Sequence, residues 1–169
     1  MMRNRERFFI ILISVCVLQL VYYWPLMPER MASHFDGSGN PNGWSSRRAF
    51  FCLYAGLTVM VIFMFRILPS LLRLFPDSLI SISNREYWLA SERRQVTFSL
   101  ITDLLLLFGN GTLIFFVAIV QLVFLANLKN IIRISADAMW CLVIIYVIFT
   151  LAWTINIIHR FKKIPERKE

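Results

Sequence analysis

Four stretches of the chain run almost uninterrupted in apolar side chains, at residues 8–24, 49–68, 98–125 and 138–158, and the polar residues gather between and beyond them. None of the four alternates with the period of two that a lipid-facing strand needs. Each is close to or above the ~17 residues that carry a helix across about 30 Å of hydrocarbon. The pattern predicts an all-α integral membrane protein: a four-transmembrane-helix bundle forming one membrane domain over residues 1–169, with one structured extracytoplasmic loop at 25–48 and a cytoplasmic connection at 69–97. A short loop over 127–137 joins the last two spans. Hydrophobic residues make up 58% of the chain, against about 45–50% for a soluble domain, and it is their clustering that sets the class.

Arg3, Arg5 and Arg7 precede the first run, as in a signal peptide. The run ends, however, in Tyr22-Tyr23-Trp24-Pro25 rather than in the small residues of a cleavage site. That ending reads as an aromatic interface belt followed by a helix stop, so the segment is expected to be a retained anchor.

Charge orients the bundle. With the N-terminus inside, the tails and the 69–97 connection hold Arg3, Arg5, Arg7, Arg73, Arg85, Arg93, Arg94, Arg160, Lys162, Lys163, Arg167 and Lys168, against Arg30, Arg47, Arg48, Lys129 and Arg133 on the opposite side. The positive-inside rule then predicts that both termini are cytoplasmic. A net charge of +8 so distributed suits anionic lipid headgroups, at about 1 kcal/mol per basic residue near the surface, rather than nucleic acid.

Inside the spans the ionisable residues sit near the ends. Arg66 is placed to snorkel to the headgroups, and Asp103, early in the third span, benefits from the helix dipole. A transporter needs several deep ionisable groups, which these spans lack. Gln19, Thr58, Asn110 and Thr150 are expected at similar depth as interhelical hydrogen-bonding groups, with Gln19 and Asn110 facing the bundle interior. Gly109 and Gly111 allow close helix approach beside them. Cys16, Cys52 and Cys141 all fall within apolar runs and read as small buried hydrophobes rather than as a disulfide or a zinc site.

The most distinctive polar stretch is Pro28–Trp44. Met31-Ala-Ser-His-Phe35 can run extended, with Ser33 and Phe35 on one side and Ala32 and His34 on the other. Asp36-Gly-Ser-Gly-Asn-Pro-Asn-Gly43 supplies turn chemistry, and Trp44 with Ser45 and Ser46 seats the return and caps the second helix. One reading makes this a folded re-entry loop with an aromatic anchor. The other makes it a binding element in which His34, Phe35, Asp36, Gly39 and Trp44 are the ligand-binding candidates. Asp36, Ser38, Asn40 and Asn42 have a superficial calcium-loop spacing but lack the glycine and terminal glutamate of an EF-hand. One histidine is also too few for zinc, so no metal or other cofactor is expected. His34 remains a candidate reporter of external pH.

On the inner side, Asn84-Arg-Glu-Tyr-Trp-Leu-Ala-Ser-Glu-Arg-Arg94 sets aromatic residues beside charges, the composition of a headgroup-level segment. Asn84, Tyr87, Trp88, Arg93 and Arg94 are its cytoplasmic-face candidates, and Ser91 is a candidate start for the third helix.

Pro28-x5-His34-Phe35-x3-Gly39-x4-Trp44-x-Ser46-Arg47 after a first hydrophobic segment resembles the bacterial membrane family called domain of unknown function 1648. Asn84-x2-Tyr87-Trp88-Leu89-x2-Glu92-Arg93-Arg94 and Ala126-Asn127-Leu128 extend the resemblance over roughly residues 20 to 130. Met27, Ala32 and Arg47 stand where that family usually carries leucine, proline and lysine. The resemblance implies a bacterial inner-membrane protein related to the N-terminal part of SdpI-type immunity proteins. Those protect a producing cell against its own membrane-active peptide toxin and sequester a repressor at the membrane.

These observations favour a non-enzymatic multi-pass protein whose outer loop binds or senses an extracytoplasmic factor, with immunity to a membrane-active peptide or envelope stress as the implied role. The candidate partners are a peptide toxin, a regulator or another membrane subunit, and the alternative reading is an accessory structural subunit of a larger membrane complex. A membrane enzyme is disfavoured by inventory: the outer side offers His34, Glu29, Asp36 and Asp137, and the second histidine, His159, falls on the other side.

Overall fold

The computed structural model describes residues 4–163; Arg3, Arg167 and Lys168 of the basic tails lie outside the described residues. Helix α1 (Asn4–Tyr23) leads into strands β1 (Arg30–Phe35) and β2 (Pro41–Ser46), which form an antiparallel hairpin. Helix α2 (Arg47–Ile62) follows and continues through a π-helical turn, Phe63–Ile67, to Leu74. After an irregular connection come α3 (Ser91–Asn127) and α4 (Ala136–Lys162). Among the described residues, four helices are therefore long and apolar enough to cross a membrane.

Local chemistry sets most boundaries. Pro25 follows α1, whose Tyr23 carbonyl accepts from the N–H groups of both Leu26 and Met27. The Ser46 hydroxyl caps α2 by accepting from Ala49 N at 3.2 Å, and Ser135 caps α4 in the same way through Ala138 N at 3.3 Å. One boundary differs from the sequence expectation: the second span does not end before Pro69 but passes through it to Leu74. α3 begins at its candidate start, Ser91, seven residues before the apolar run. Proline withholds its N–H from the carbonyl four residues back. That carbonyl belongs to Phe65, inside the π-helical turn, whose wider loop lets the helix continue.

α3 is the axis of the bundle. Its 37 residues span about 55 Å, well beyond the hydrocarbon thickness, so its first turns project past the start of α1. α1 runs parallel to it and α4 antiparallel. Near the hairpin, Phe124 of α3 stacks on Tyr23 at 4.3 Å and meets Phe50, Phe51 and Tyr54 of α2 edge-on or tilted. Further along, Phe108 meets Trp153 at 4.5 Å and Phe115 stacks on Tyr146 at 4.5 Å, which together seat α4. The Trp153 indole N–H also donates to Leu104 O at 2.8 Å.

Polar side chains link the first three helices. Tyr54 OH donates to Gln19 Oε1 (2.7 Å), Gln19 Nε2 donates to Gln121 Oε1 (2.9 Å) and to Val117 O (3.1 Å), and Gln121 Nε2 donates to the Tyr23 hydroxyl. Asn110 is also buried, but it lies at a different level: its Nδ2 donates to Arg5 O in the first turn of α1. Val117 and Gln121 are seven to eleven residues further along α3, roughly 10–16 Å away. The expected common depth therefore fails, because α3 overhangs α1. Thr58 and Thr150 do not bridge helices either; each hydroxyl donates to the carbonyl four residues earlier in its own helix, the nearest acceptor available.

Arg66, half exposed near the end of its span, meets Glu6 of α1 at 3.5 Å. Cys16 is buried, whereas Cys52 and Cys141 are exposed on the sides of the bundle, contrary to the reading of all three as buried. An apolar run in lipid need not point inward, so hydrophobicity alone did not separate core from lipid-facing positions.

Glycine fixes the closest approach. A Cβ on Gly109 would stand 2.7 Å from Phe65 Cβ and 3.0 Å from Phe9 Cε2, whereas one on Gly56 would meet nothing within 4 Å. Gly109→Val should therefore destabilise the bundle by about 1–3 kcal/mol through overpacking, and Gly56→Val should leave it nearly unchanged. Thermal unfolding in mild detergent checks this, and equal midpoints for the two variants would refute the packing described.

Candidate functional site

The hairpin is built from an imperfect register. Ala32 faces Trp44, His34 faces Gly43 and Phe35 faces Pro41, so Ser33 is an extra residue on β1 and Asn42 an extra residue on β2. The bulge at Ser33 breaks the alternation expected for 31–35: Ala32 and His34 face the consecutive residues Trp44 and Gly43, and Ala32 is buried while His34 is not. His34 is exposed, its Nδ1 3.1 Å from Ser33 Oγ. Gly43 is needed opposite it, since a Cβ there would stand 2.9 Å from His34 Cβ.

The turn closes on Asp36. Its N–H donates to Asn40 O and its carbonyl accepts from Gly39 N, while its Oδ1 accepts from Ser38 N and Asn40 N, each at 2.9 Å. The N–H of Asn40, then that of Ser38, hold the carboxyl below its ordinary value of 3.8 against the opposing effect of burial. With the folded value below the unfolded one, the turn keeps this support above the ordinary carboxylate range and loses it as the pH falls through the lowered value.

Three further groups hold the tip and one holds the base. Trp140 Nε1 donates to Gly37 O (2.9 Å), Arg133 Nη2 to Ser38 O (3.2 Å), and Ile134 N to Gly39 O (3.0 Å). Gly39 has φ of 83°, and a Cβ there would collide with Ile134 O. At the base, Asn127 acts as a substitute strand: its Oδ1 accepts from Ala32 N at 2.8 Å and its Nδ2 donates to Ala32 O at 2.9 Å, both buried. Arg47 closes the neck, donating to Met27 O (2.9 Å) and Trp24 O (3.3 Å), with its guanidinium 5.1 Å from the Trp24 ring centroid.

The five ligand-binding candidates thus separate. Phe35 packs against the main core, Asp36 is occupied by its own turn, and Gly39 is seated on the α3–α4 loop. His34 and Trp44 remain outward, Trp44 being 44% exposed with the Arg30 guanidinium 5.5 Å from its ring centroid. Among the described residues no three of His, Cys, Asp and Glu gather as metal ligands.

At the opposite end the five candidates of 84–94 largely face the protein. Asn84, in the left-handed region at φ 53°, donates through Nδ2 to Lys162 O (2.9 Å) and Phe161 O (3.2 Å), capping the last carbonyls of α4. Trp88 Nε1 donates to the same Phe161 O at 2.9 Å. Arg93 Nε donates to Tyr87 O, and its guanidinium lies 4.1 Å from the Tyr87 ring centroid. Arg94 pairs with Asp77 at 2.9 Å and reaches Arg73 O and Phe75 O.

Sequence reasoning did not find the clamp formed by Asn127, Arg133, Ile134 and Trp140. Asn127 stands in the Ala126-Asn127-Leu128 motif, but only contacts distant in sequence reveal what its amide pairs with. Asn127→Ala would leave both backbone groups of Ala32 buried without partners, at about 1–3 kcal/mol each. We expect a bundle destabilised by roughly 2–5 kcal/mol and faster proteolysis at the 36–40 turn. Asn127→Asp should not rescue it, because a carboxylate cannot donate to Ala32 O. An unaltered unfolding midpoint and cleavage rate in Asn127→Ala would remove the clamp from the account.

No curated protein and no solved structure matches the chain. A family model described as a domain of unknown function, DUF1648, matches residues 9–58, which take in most of α1, the whole hairpin and the first part of α2, but neither the 84–94 segment nor Asn127. Over residues 9–58 the chain carries a DUF1648 domain.

Proposed function

We propose that the hairpin is an extracytoplasmic recognition surface of a non-enzymatic, multi-pass bacterial inner-membrane protein. The observation that carries this reading is the contrast between a hairpin backbone fixed at base, neck and tip and the outward side chains of Arg30, His34 and Trp44. A fixed backbone lowers the ordering cost of binding, and an exposed Trp beside an Arg is the side-chain type that anchors partners. The basic residues Arg73, Arg85, Arg93, Arg94, Arg160, Lys162 and Lys163 at the other end support placing that end in the cytoplasm. The resemblance to the N-terminal part of SdpI-type immunity proteins is what suggests a membrane-active peptide as the factor recognised, with binding protecting the cell.

A second reading, an accessory subunit of a larger membrane complex, draws on α4, none of whose most apolar 18-residue window is buried within the chain. It requires stable co-purification with one partner even after hairpin mutation, and isolation only as a monomer in mild detergent would sink it.

Orientation is tested with single cysteines at Ser38 and at Ser81 in a chain cleared of Cys16, Cys52 and Cys141. A membrane-impermeant maleimide should label Ser38→Cys in intact cells and Ser81→Cys only after permeabilisation; the reverse pattern would invert the proposed topology. For recognition, His34→Ala and Trp44→Ala should be made at wild-type levels and fold normally, yet weaken protection against a membrane-active peptide by at least about tenfold. Wild-type protection by both variants would reduce the hairpin to a structural re-entry.

A further inference from the structure

A groove of about 480 Å³ opens sideways between α1 and α4, with α3 as its floor. It lies outside the hairpin, and nothing below depends on the hairpin reading. Its polar and apolar groups are segregated by depth. At one end stand Asn4 and Arg5, and at the other Ile114 and Phe115 of α3 face Leu142 and Ile145 of α4. Asn110 lines the wall between them.

Asn110 is 5% exposed, and its Oδ1 is buried with no hydrogen-bond partner. The orientation of its amide is set by chemistry, because the neighbouring Arg5 carbonyl accepts only and must face the NH₂ group, at 3.2 Å. The free atom is therefore an acceptor, and an unmatched buried acceptor costs about 1–3 kcal/mol. A hydrocarbon chain does not supply a donor. Arg5 contributes the charge: Nη1 donates to the neutral backbone carbonyl of Asp103 at 3.0 Å. Asp103 is seven residues nearer the start of α3 than Asn110, about 10 Å along the axis. Read from the end of the bundle inward, the groove presents a cation, then a hydrogen-bond acceptor, then an apolar slot.

We propose that this groove is a lipid-binding site for an anionic single-chain amphiphile with a hydroxyl or amide N–H at the junction of head and chain. The anionic head meets Arg5, the chain lies along Ile114, Phe115, Leu142 and Ile145, and the junction donor takes up the now buried Asn110 Oδ1 as the side chains of the groove wall part around it. Ordinary diacyl lipid without a junction donor fills the slot but leaves the acceptor unmatched.

The purified full chain in mild detergent is titrated with 1-oleoyl-lysophosphatidic acid, which has a free hydroxyl at the junction, with its 2-O-methyl ether, and with 1-oleoyl-lysophosphatidylcholine; bound lipid is read by native mass spectrometry. One molecule of the lysophosphatidic acid should bind per chain, about fivefold more tightly than the ether, as one net hydrogen bond allows, and the zwitterion should bind most weakly. Asn110→Leu should abolish the preference over the ether. Ile145→Trp, which fills the slot from α4, should weaken all three lipids, whereas the exposed Ile155→Trp should weaken none. Equal binding of the three lipids by the unaltered chain, or binding insensitive to Ile145→Trp, would mean general lipid coating and overturn the proposal. If Asn110→Leu fails to fold, the ether comparison and Ile145→Trp still decide it.

Discussion

Two hydrogen bonds between the Asn127 side chain and the backbone of Ala32 join the helical bundle to its hairpin. A buried peptide group must find a partner, and β1 has a neighbouring strand on one edge only. The amide at the end of α3 supplies the missing edge. Once Ala32 is fixed there, Met31 is directed into the core beneath the hairpin, and the tip reaches the α3–α4 loop, where Arg133, Ile134 and Trp140 hold it. The position of the hairpin therefore follows from the far half of the chain, not from the segment that forms it.

The same demand for polar partners orders the spans. Lipid offers helices little hydrophobic reason to associate, so close packing and interhelical hydrogen bonds must serve. α3 provides both: Gly109 admits Phe9 and Phe65, Phe124 gathers the aromatic rings of α1 and α2, and Gln121 completes the chain of hydrogen bonds from Tyr54 through Gln19 to Tyr23. α4 is more peripheral, seated on α3 by Phe108, Phe115 and Trp153 and tied at its end by Asn84 and Trp88. That one-sided attachment leaves the groove between α4 and α1 open.

Structural duties occupy most of the distinctive polar residues. Asp36, Gly39, Asn84, Trp88 and Arg94 are polar or conformationally special because they close turns, cap a helix end or tie the connection to α3. After those are set aside, His34, Trp44 and Arg30 at one end, and Asn110 with Arg5 in the groove, retain chemistry that the fold does not use up.

The sequence by itself determined the helical class, the four spans and the presence of a turn after Phe35, though the turn ends at Asn40 and residues 41–43 enter β2, because continuous apolar runs and glycine-rich, Asp- and Asn-bearing stretches act locally. Serine caps and Pro25 likewise marked ends that neighbours in sequence control. Tertiary structure alone decided that Gln19 and Asn110 lie at different levels, since their depth depends on how far α3 slides past α1. It also decided that Cys52 and Cys141 face outward, that Arg66 pairs with Glu6, and that a bulge at Ser33 sets buried Ala32 and exposed His34 apart. Each of these depends on partners far away along the chain, and the composition of a membrane helix, apolar on every face, holds no record of which face meets protein and which meets lipid.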